Sequence, residues 1–138
     1  MPLKIRLNPK ERIIINSAVI QNGDKRIVLT VENQANVLRG KDVLVERDVK
    51  TPVEKLYFLI QSCLIKNPDT SDERVDQIHA LAANLYKAFE NEGMKDNIFQ
   101  SMDHFSCGDY YKSLAVLRPI REYETQLLLK QGNNPGGE

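Results

Sequence analysis

Ala18-Val19-Ile20-Gln21-Asn22-Gly23-Asp24-Lys25-Arg26-Ile27-Val28-Leu29-Thr30-Val31 sets two apolar runs on either side of Asn-Gly. Asn and Gly both tolerate the positive φ of a type I′ turn, so the stretch reads as a β-hairpin with strands at 18–21 and 25–32. Toward the N-terminus, residues 2–8 alternate. Leu3, Ile5 and Leu7 fall on one side, and Lys4, Arg6 and Asn8 on the other. That is a half-buried strand with a cationic outer face. Asn8-Pro9-Lys10 reads as a turn, residues 11–15 as a second strand, and Asn16-Ser17 as a tight turn or bulge. Beyond the hairpin, Asn33-Gln34 is a turn candidate. Short strands are expected at 36–39 and 42–47, with Gly40 as a bend. Strands this short and closely spaced predict an antiparallel meander or a small partly open barrel.

The pattern changes at Thr51. Thr51-Pro52-Val53-Glu54 is a capping box with proline at the first helical position. Leu56, Leu59, Ile60, Cys63 and Leu64 then recur at helical spacing until Asn67-Pro68. Thr70-Ser71-Asp72-Glu73 is a second capping box. The helix after it carries Val75, Ile78, Leu81, Ala82, Leu85, Tyr86 and Phe89 on one stripe, with Gly93 marking its end. A third helix over roughly 96–107 carries Ile98, Phe99, Met102 and Phe105. A fourth runs from Tyr110 to about Lys130, with Leu114, Leu117, Ile120, Leu127 and Leu128, and with Pro119 as a kink. The expected organisation is α+β: an antiparallel β region at 1–50, a four-helix antiparallel bundle at 51–130 packed on it, and a disordered tail at 131–138. The two halves form one compact unit.

The 138 residues suffice for a core without disulfides or metals. No apolar run approaches the ~18 residues needed to cross a bilayer, and the first residues carry no apolar secretory segment. Two cysteines are too few for a disulfide framework, which points to a cytoplasmic protein with reduced thiols. The formal net charge is zero, against a general nucleic-acid coating protein. Its distribution is uneven. Residues 1–50 hold 10 Lys/Arg against 6 Asp/Glu, a balance of +4, and the remainder is −4.

Motifs for covalent chemistry are missing from the sequence. It has no G-x-S-x-G elbow, no glycine-rich phosphate loop and no G-x-G-x-x-G. His79 and His104 fall on separate predicted helices. His104 and Cys107 share a helical face at i, i+3, but structural zinc wants four ligands in paired short spacings, and there is no C-x-x-C. Asp72, Glu73 and Asp76 are accounted for by the positive end of a helix dipole. The expectation is a protein without catalytic residues, metal or cofactor. What remains is the basic sheet. RNA readers use such faces for phosphates, with flat groups for stacking. The first 50 residues contain no Phe, Tyr or Trp, so phosphate contacts would dominate there. A solvated outer sheet face accounts for the same charges without any ligand.

Met1-Pro2-Leu3-Lys4-Ile5, the Asn8-Pro9-Lys10-Glu11 turn, Ala18-Val19-Ile20-Gln21-Asn22-Gly23-Asp24 and Val37-Leu38-Arg39-x-Lys41-Asp42 resemble the FlbT family of bacterial flagellar regulators. So do Thr51-Pro52, Tyr57-Phe58, Gly108-Asp109-Tyr110-Tyr111-Lys112-Ser113-Leu114, Leu117-Arg118 and Glu122. The order and spacing of these stretches carry the likeness over nearly the whole chain. Asn16-Ser17 and Gly40 depart mildly from the family pattern. The resemblance implies a post-transcriptional regulator that acts on the 5′ untranslated region of flagellin mRNA and couples flagellin expression to assembly. It also implies a small helical partner, FlaF.

The expected RNA contacts are Lys4, Arg6, Lys25, Arg26, Arg39 and Lys41 to phosphates, with Gln21, Asn22 and Gly23 at the hairpin tip facing bases. The alternative is an adaptor whose acidic helical half binds FlaF or flagellin, anchored by Tyr57, Tyr110 and Tyr111. Open sheet edges leave room for a homodimer.

Overall fold

A computed structural model describes residues 2–69 and 71–132, without the side chains of 125 and 127–132. Five strands come first: β1 (Leu3–Leu7), β2 (Arg12–Ile15), β3 (Ala18–Gln21), β4 (Ile27–Val31) and β5 (Val37–Arg39). Four helices follow: α1 (Pro52–Ile65), α2 (Glu73–Ala88), α3 (Glu92–Ser106) and α4 (Tyr110–Gly132). The class is α+β, and the strands do not close into a barrel.

The strands form two small antiparallel sheets rather than one meander. β1 pairs with β4, and β2 lies between β3 and β5. Ile5, Leu7 and Ile13 are buried between the sheets, with Ile15, Leu29, Val31 and Val37 packed around them. Successive side chains point to opposite faces of a strand, so Ile14 and its cross-strand partner Leu38 face the other way. They join the helical core of Leu56, Tyr57, Ile60, Leu114 and Leu117. β2 therefore serves two cores, and the molecule has three layers: the β1–β4 ribbon, the β3–β2–β5 sheet and the helices. Each fully buried Ile or Leu contributes roughly 1.5–3 kcal/mol against exposure.

The Asn22-Gly23 hairpin expected from sequence is not formed. β3 and β4 belong to different sheets, and the described residues with positive φ are Lys10, Asn16, Gly40 and Gly108. Asn22 is instead buried. Its Nδ2 donates to Asn8 O at 2.8 Å and Lys25 O at 2.8 Å, and its Oδ1 accepts from Gly23 N at 2.8 Å. Its own backbone N–H donates to Glu11 O at 2.9 Å. One amide thus ties the end of β1 to the approach of β4, and its backbone ties both to the entry of β2. The two-residue hairpin lies at Asn16-Ser17, where Ile15 opposes Ala18 and Asn16 takes φ 56°. Asn visits this left-handed region more readily than most residues.

The strand expected at 42–47 is replaced by 3-10 turns at Gly40–Asp42 and Glu46–Asp48. Between them buried Gln61 of α1 acts as a substitute strand partner. Its Oε1 accepts from Leu44 N at 2.9 Å, and its Nε2 donates to Leu44 O at 2.8 Å. With both Leu44 backbone groups satisfied by a side chain, no neighbouring strand is needed.

The Thr51 capping box and Pro52 start α1 as read from sequence. Asp72 caps α2 through Arg74 N, and Thr70 lies outside the described residues. Gly93 falls in the first turn of α3, which Asn91 caps, rather than ending α2. Each helix packs on the next, and α4 also packs on α1, the neighbour pattern of a four-helix bundle. Ser101 and Ser113 meet at the α3–α4 crossing, each hydroxyl donating to the other's carbonyl at 2.9 and 2.8 Å. α4 continues through Pro119 to Gly132, two residues into the stretch read as tail. Residues 133–138 of that expected tail lie outside the described residues.

Candidate nucleic-acid interface

The β1–β4 ribbon buries one face on the second sheet and turns the other outward. In its register Lys4 opposes Thr30 and Arg6 opposes Val28. All four side chains are exposed, Val28 at 57%. Arg26 stands one alternation step before Val28 at the head of β4, and Lys25 precedes it; both are exposed. Lys4 and Arg6 are about 7 Å apart along the strand, two rises of an extended chain. Among the described residues, Lys4, Arg6, Lys25 and Arg26 make no ion pair. Two carboxylates flank the set in sequence: exposed Asp24, which precedes Lys25 and pairs with Lys10 at 2.8 Å, and Glu32, just past β4. The face offers three solvated cations, Lys4, Arg6 and Arg26, around an apolar Val28, with exposed Lys25 at its end, and their field attracts a polyanion.

The remaining sequence-selected residues fall elsewhere. Arg39 leaves β5 and reaches across the sheets, its Nη2 donating to Arg6 O at 2.6 Å and its Nε standing 3.8 Å from Glu11. Gln21 is exposed, with Nε2 donating to Lys10 O at 3.3 Å. The buried Asn22 amide is consumed by backbone groups, so it does not face a base. Gly23 is exposed beside it.

Lys41 lies at a second place, a cavity of ≈ 330 Å³ lined by Lys41, Asp42, Arg118, Arg121 and Glu122. Here the strand half is bolted to α4. Arg121 Nη1 donates to Lys41 O at 2.7 Å, and its Nε lies 3.4 Å from Glu54. Arg118 Nε lies 3.6 Å from Asp42. Tyr57 is fully buried at this junction and donates to Asp42 O at 2.6 Å. Burial pushes its phenol up, against the pull of Arg118. Tyr57 is thus a core residue and not a surface anchor. Tyr110 and Tyr111 are half-buried.

Two features were missed in the sequence. Phe99 and Tyr86, which helical spacing places on the apolar stripes of α3 and α2, are 68% and 42% exposed. They flank a groove floored by Ala82 and Ala83. Lys95 Nζ sits 5.3 Å from the Tyr86 ring centre. A helical stripe wider than its neighbour covers would have been the only signal. Among the described residues no group of three His, Cys, Asp or Glu is placed to hold a metal ion, and no helix is long and apolar enough to cross a membrane.

A family model described as "Flagellar protein FlbT" matches residues 3–128. The chain belongs to the FlbT family. Three relatives carry the likeness further. It is 33% identical over 141 residues to the "Flagellum biosynthesis repressor protein FlbT" of Caulobacter vibrioides, covering 100% of this chain and 99% of that one. It is 31% identical over 134 residues to the "Probable flagellum biosynthesis repressor protein FlbT" of Rhodopseudomonas palustris, covering 93% and 98%. It is 30% identical over 128 residues to the FlbT protein of Caulobacter sp. strain K31, covering 93% and 97%. No solved structure matches. Several stretches read as FlbT-like converge in this structure: Asp42, Tyr57, Tyr111, Arg118 and Glu122 all meet at or border the junction that joins strands to helices.

Proposed function

We propose that this chain is a repressor-type regulator of flagellum biosynthesis that acts without covalent chemistry, by binding the 5′ untranslated leader of flagellin mRNA in the cytoplasm. Membership of the FlbT family supports the flagellar role. The observation that carries the RNA reading is the outer face of β1–β4, where Lys4, Arg6 and Arg26 stand exposed and outside any ion pair with a described residue. Arg6 and Arg26 supply planar forks suited to phosphate. Phosphate contacts release condensed counterions, so they write themselves into the salt dependence of binding.

The test is titration of a fluorescent flagellin-leader RNA at several salt concentrations. The comparison is wild type against a Lys4→Ala/Arg6→Ala/Arg26→Ala variant. At about 0.7 per phosphate on a single strand, the log–log salt slope of the variant falls by roughly 2. An unchanged slope and affinity overturn the reading.

A second reading rests on the α2–α3 groove. Its two exposed aromatics beside small alanines suit a helix laid into a groove. In that case the chain is an adaptor that binds FlaF or flagellin, and its effect on the message is indirect. A stable FlaF complex with no salt-sensitive RNA binding selects it.

A further inference from the structure

A cleft of ≈ 460 Å³ opens where the β2–β3 hairpin meets the ends of α1 and α3. This lies within the roughly 300–1,000 Å³ range of small-ligand sites. Its polar walls are Asn16, Ser17, Asn36 and Asn67, and its aromatic walls are Tyr110 and Tyr111. The rim is held by backbone: Asn16 N donates to Asn36 O at 2.7 Å, and Asn36 N donates to Asn16 Oδ1 at 3.0 Å. The side-chain amides of Asn36 and Asn67 are exposed and make no hydrogen bond to a described residue. Both rings are fixed from outside the cleft. Phe105 lies 5.3 Å from the Tyr110 ring centre, and the Arg118 guanidinium lies 5.8 Å from that of Tyr111.

Among the described residues no Lys or Arg lines this cleft. Its one carboxylate, Asp109, is engaged, accepting from Lys112 N at 3.1 Å and standing 3.8 Å from Lys112 Nζ. The lining therefore suits a flat, neutral ligand that both donates and accepts hydrogen bonds. Cations stand just outside it, at exposed Lys66 beside Asn67 and exposed Lys112 beside Tyr111. A nucleobase has this chemistry, and its phosphates have that of the rim. Unpaired bases are read by stacking on aromatic rings and by hydrogen bonds to their edges, and amide side chains match such edges with paired donors and acceptors.

We propose that this cleft receives one unpaired nucleobase of single-stranded RNA, with Tyr110 or Tyr111 as the stacking surface and Asn36 and Asn67 reading the base edge. The proposal rests on the RNA reading above and adds, at a separate place on the surface, a base preference that the charge of the β1–β4 face does not supply. Burial pushes the Tyr110 phenol up, which keeps its hydroxyl a donor.

The protein carries its own reporter. Cys107 is exposed and lines the cleft, while Cys63 is buried. The experiment uses single-stranded RNA homopolymers of A, C, G and U at one length. It measures their affinities and the rate at which a chromogenic disulfide reagent modifies Cys107. One homopolymer is expected to bind at least about fivefold tighter than the weakest and to slow Cys107 modification several-fold. An Asn36→Ala/Asn67→Ala variant, altered only at exposed side chains, is expected to lose that preference while keeping the wild-type salt slope. The Lys4→Ala/Arg6→Ala/Arg26→Ala variant is expected to do the reverse.

Salt-sensitive RNA binding that leaves Cys107 reactivity unchanged, or a preference that survives the double asparagine variant, overturns the cleft and leaves the RNA reading standing. Absence of any RNA binding by wild type overturns both. Protection of Cys107 by a protein partner and not by RNA overturns the cleft as a base site.

Discussion

The buried amide of Asn22 donates to the Lys25 carbonyl across 2.8 Å. The same Nδ2 donates to Asn8 O at 2.8 Å. One side chain therefore sets the distance between the end of β1 and the start of β4, and with it the place where Lys25 and Arg26 leave the ribbon. Carboxylates have no donor, so Asn22→Asp orphans two carbonyls and places charge against them. The expected cost is about 2–4 kcal/mol, read as a lower urea midpoint. Acidification should recover part of it relative to wild type, because the protonated carboxyl regains one donor. A variant as stable as wild type at pH 7 shows that the amide is not the tie described.

The same residue shows where sequence reading stops. Asn-Gly is a turn signal because of backbone tolerance, but an asparagine amide is equally able to bridge backbone groups distant in sequence. Local pattern cannot tell the two apart. Alternation in Leu3–Leu7 gave Ile5 and Leu7 as buried, though Leu3 at the strand's open end is exposed, and Thr51-Pro52-Val53-Glu54 gave the start of α1 to the residue. Both depend on neighbours within one turn or one pleat. The pairing of β4 with β1, and of β5 with β2, depends on contacts 20 or more residues apart. Strand parity made Lys4 and Arg6 legible as exposed cations, and Lys25 and Arg26 were legible from their place beside the Asn22-Gly23 turn; all four are exposed. Tyr57 was not legible as core, since adjacent Tyr57-Phe58 leaves open which ring turns inward, and the fold buries Tyr57 fully.

Gln61 completes a strand that the chain lacks. Replacing it by Met keeps volume and removes both hydrogen bonds to Leu44. Two buried backbone groups are then unsatisfied, at about 1–3 kcal/mol each before relaxation. Gln61→Met should lower global stability by about 2–4 kcal/mol and raise amide exchange across residues 43–45. Unchanged exchange at Leu44 counts against the substitute-strand role.

Asp72 caps α2 and grips Arg74. Hydrogen bonds from the Arg74 side chain, then from its backbone N–H, hold the Asp72 carboxyl down at about 2. An unfolded aspartate titrates near about 3.9. The folded state thus binds its proton later, and this group's stabilisation is present above about pH 4 and is lost as pH falls toward about 2. Asp72→Asn retains a good N-cap and removes the titration. The variant's stability should vary less between about pH 4 and 2 than that of wild type, measured by denaturant midpoints across that window. Equal acid slopes in the two proteins contradict the assignment.

Phe99 and Ile98 are adjacent on α3 and stand in opposite surroundings, one 68% exposed and the other 1%. Removing an exposed ring withdraws little surface from the core, so Phe99→Ser should leave stability within about 0.5 kcal/mol. Ile98→Ala opens a cavity in the helical core and should cost about 2–5 kcal/mol. A ring that stability does not need is available for contact with a partner. If FlaF lays a helix between Phe99 and Tyr86, Phe99→Ser weakens that complex at least about tenfold, because buried aromatics dominate such contacts. RNA affinity in the same variant stays at the wild-type value, since Phe99 lies on the helical half and the cations lie on the β1–β4 face. A variant that loses RNA affinity and keeps FlaF would reverse the two assignments.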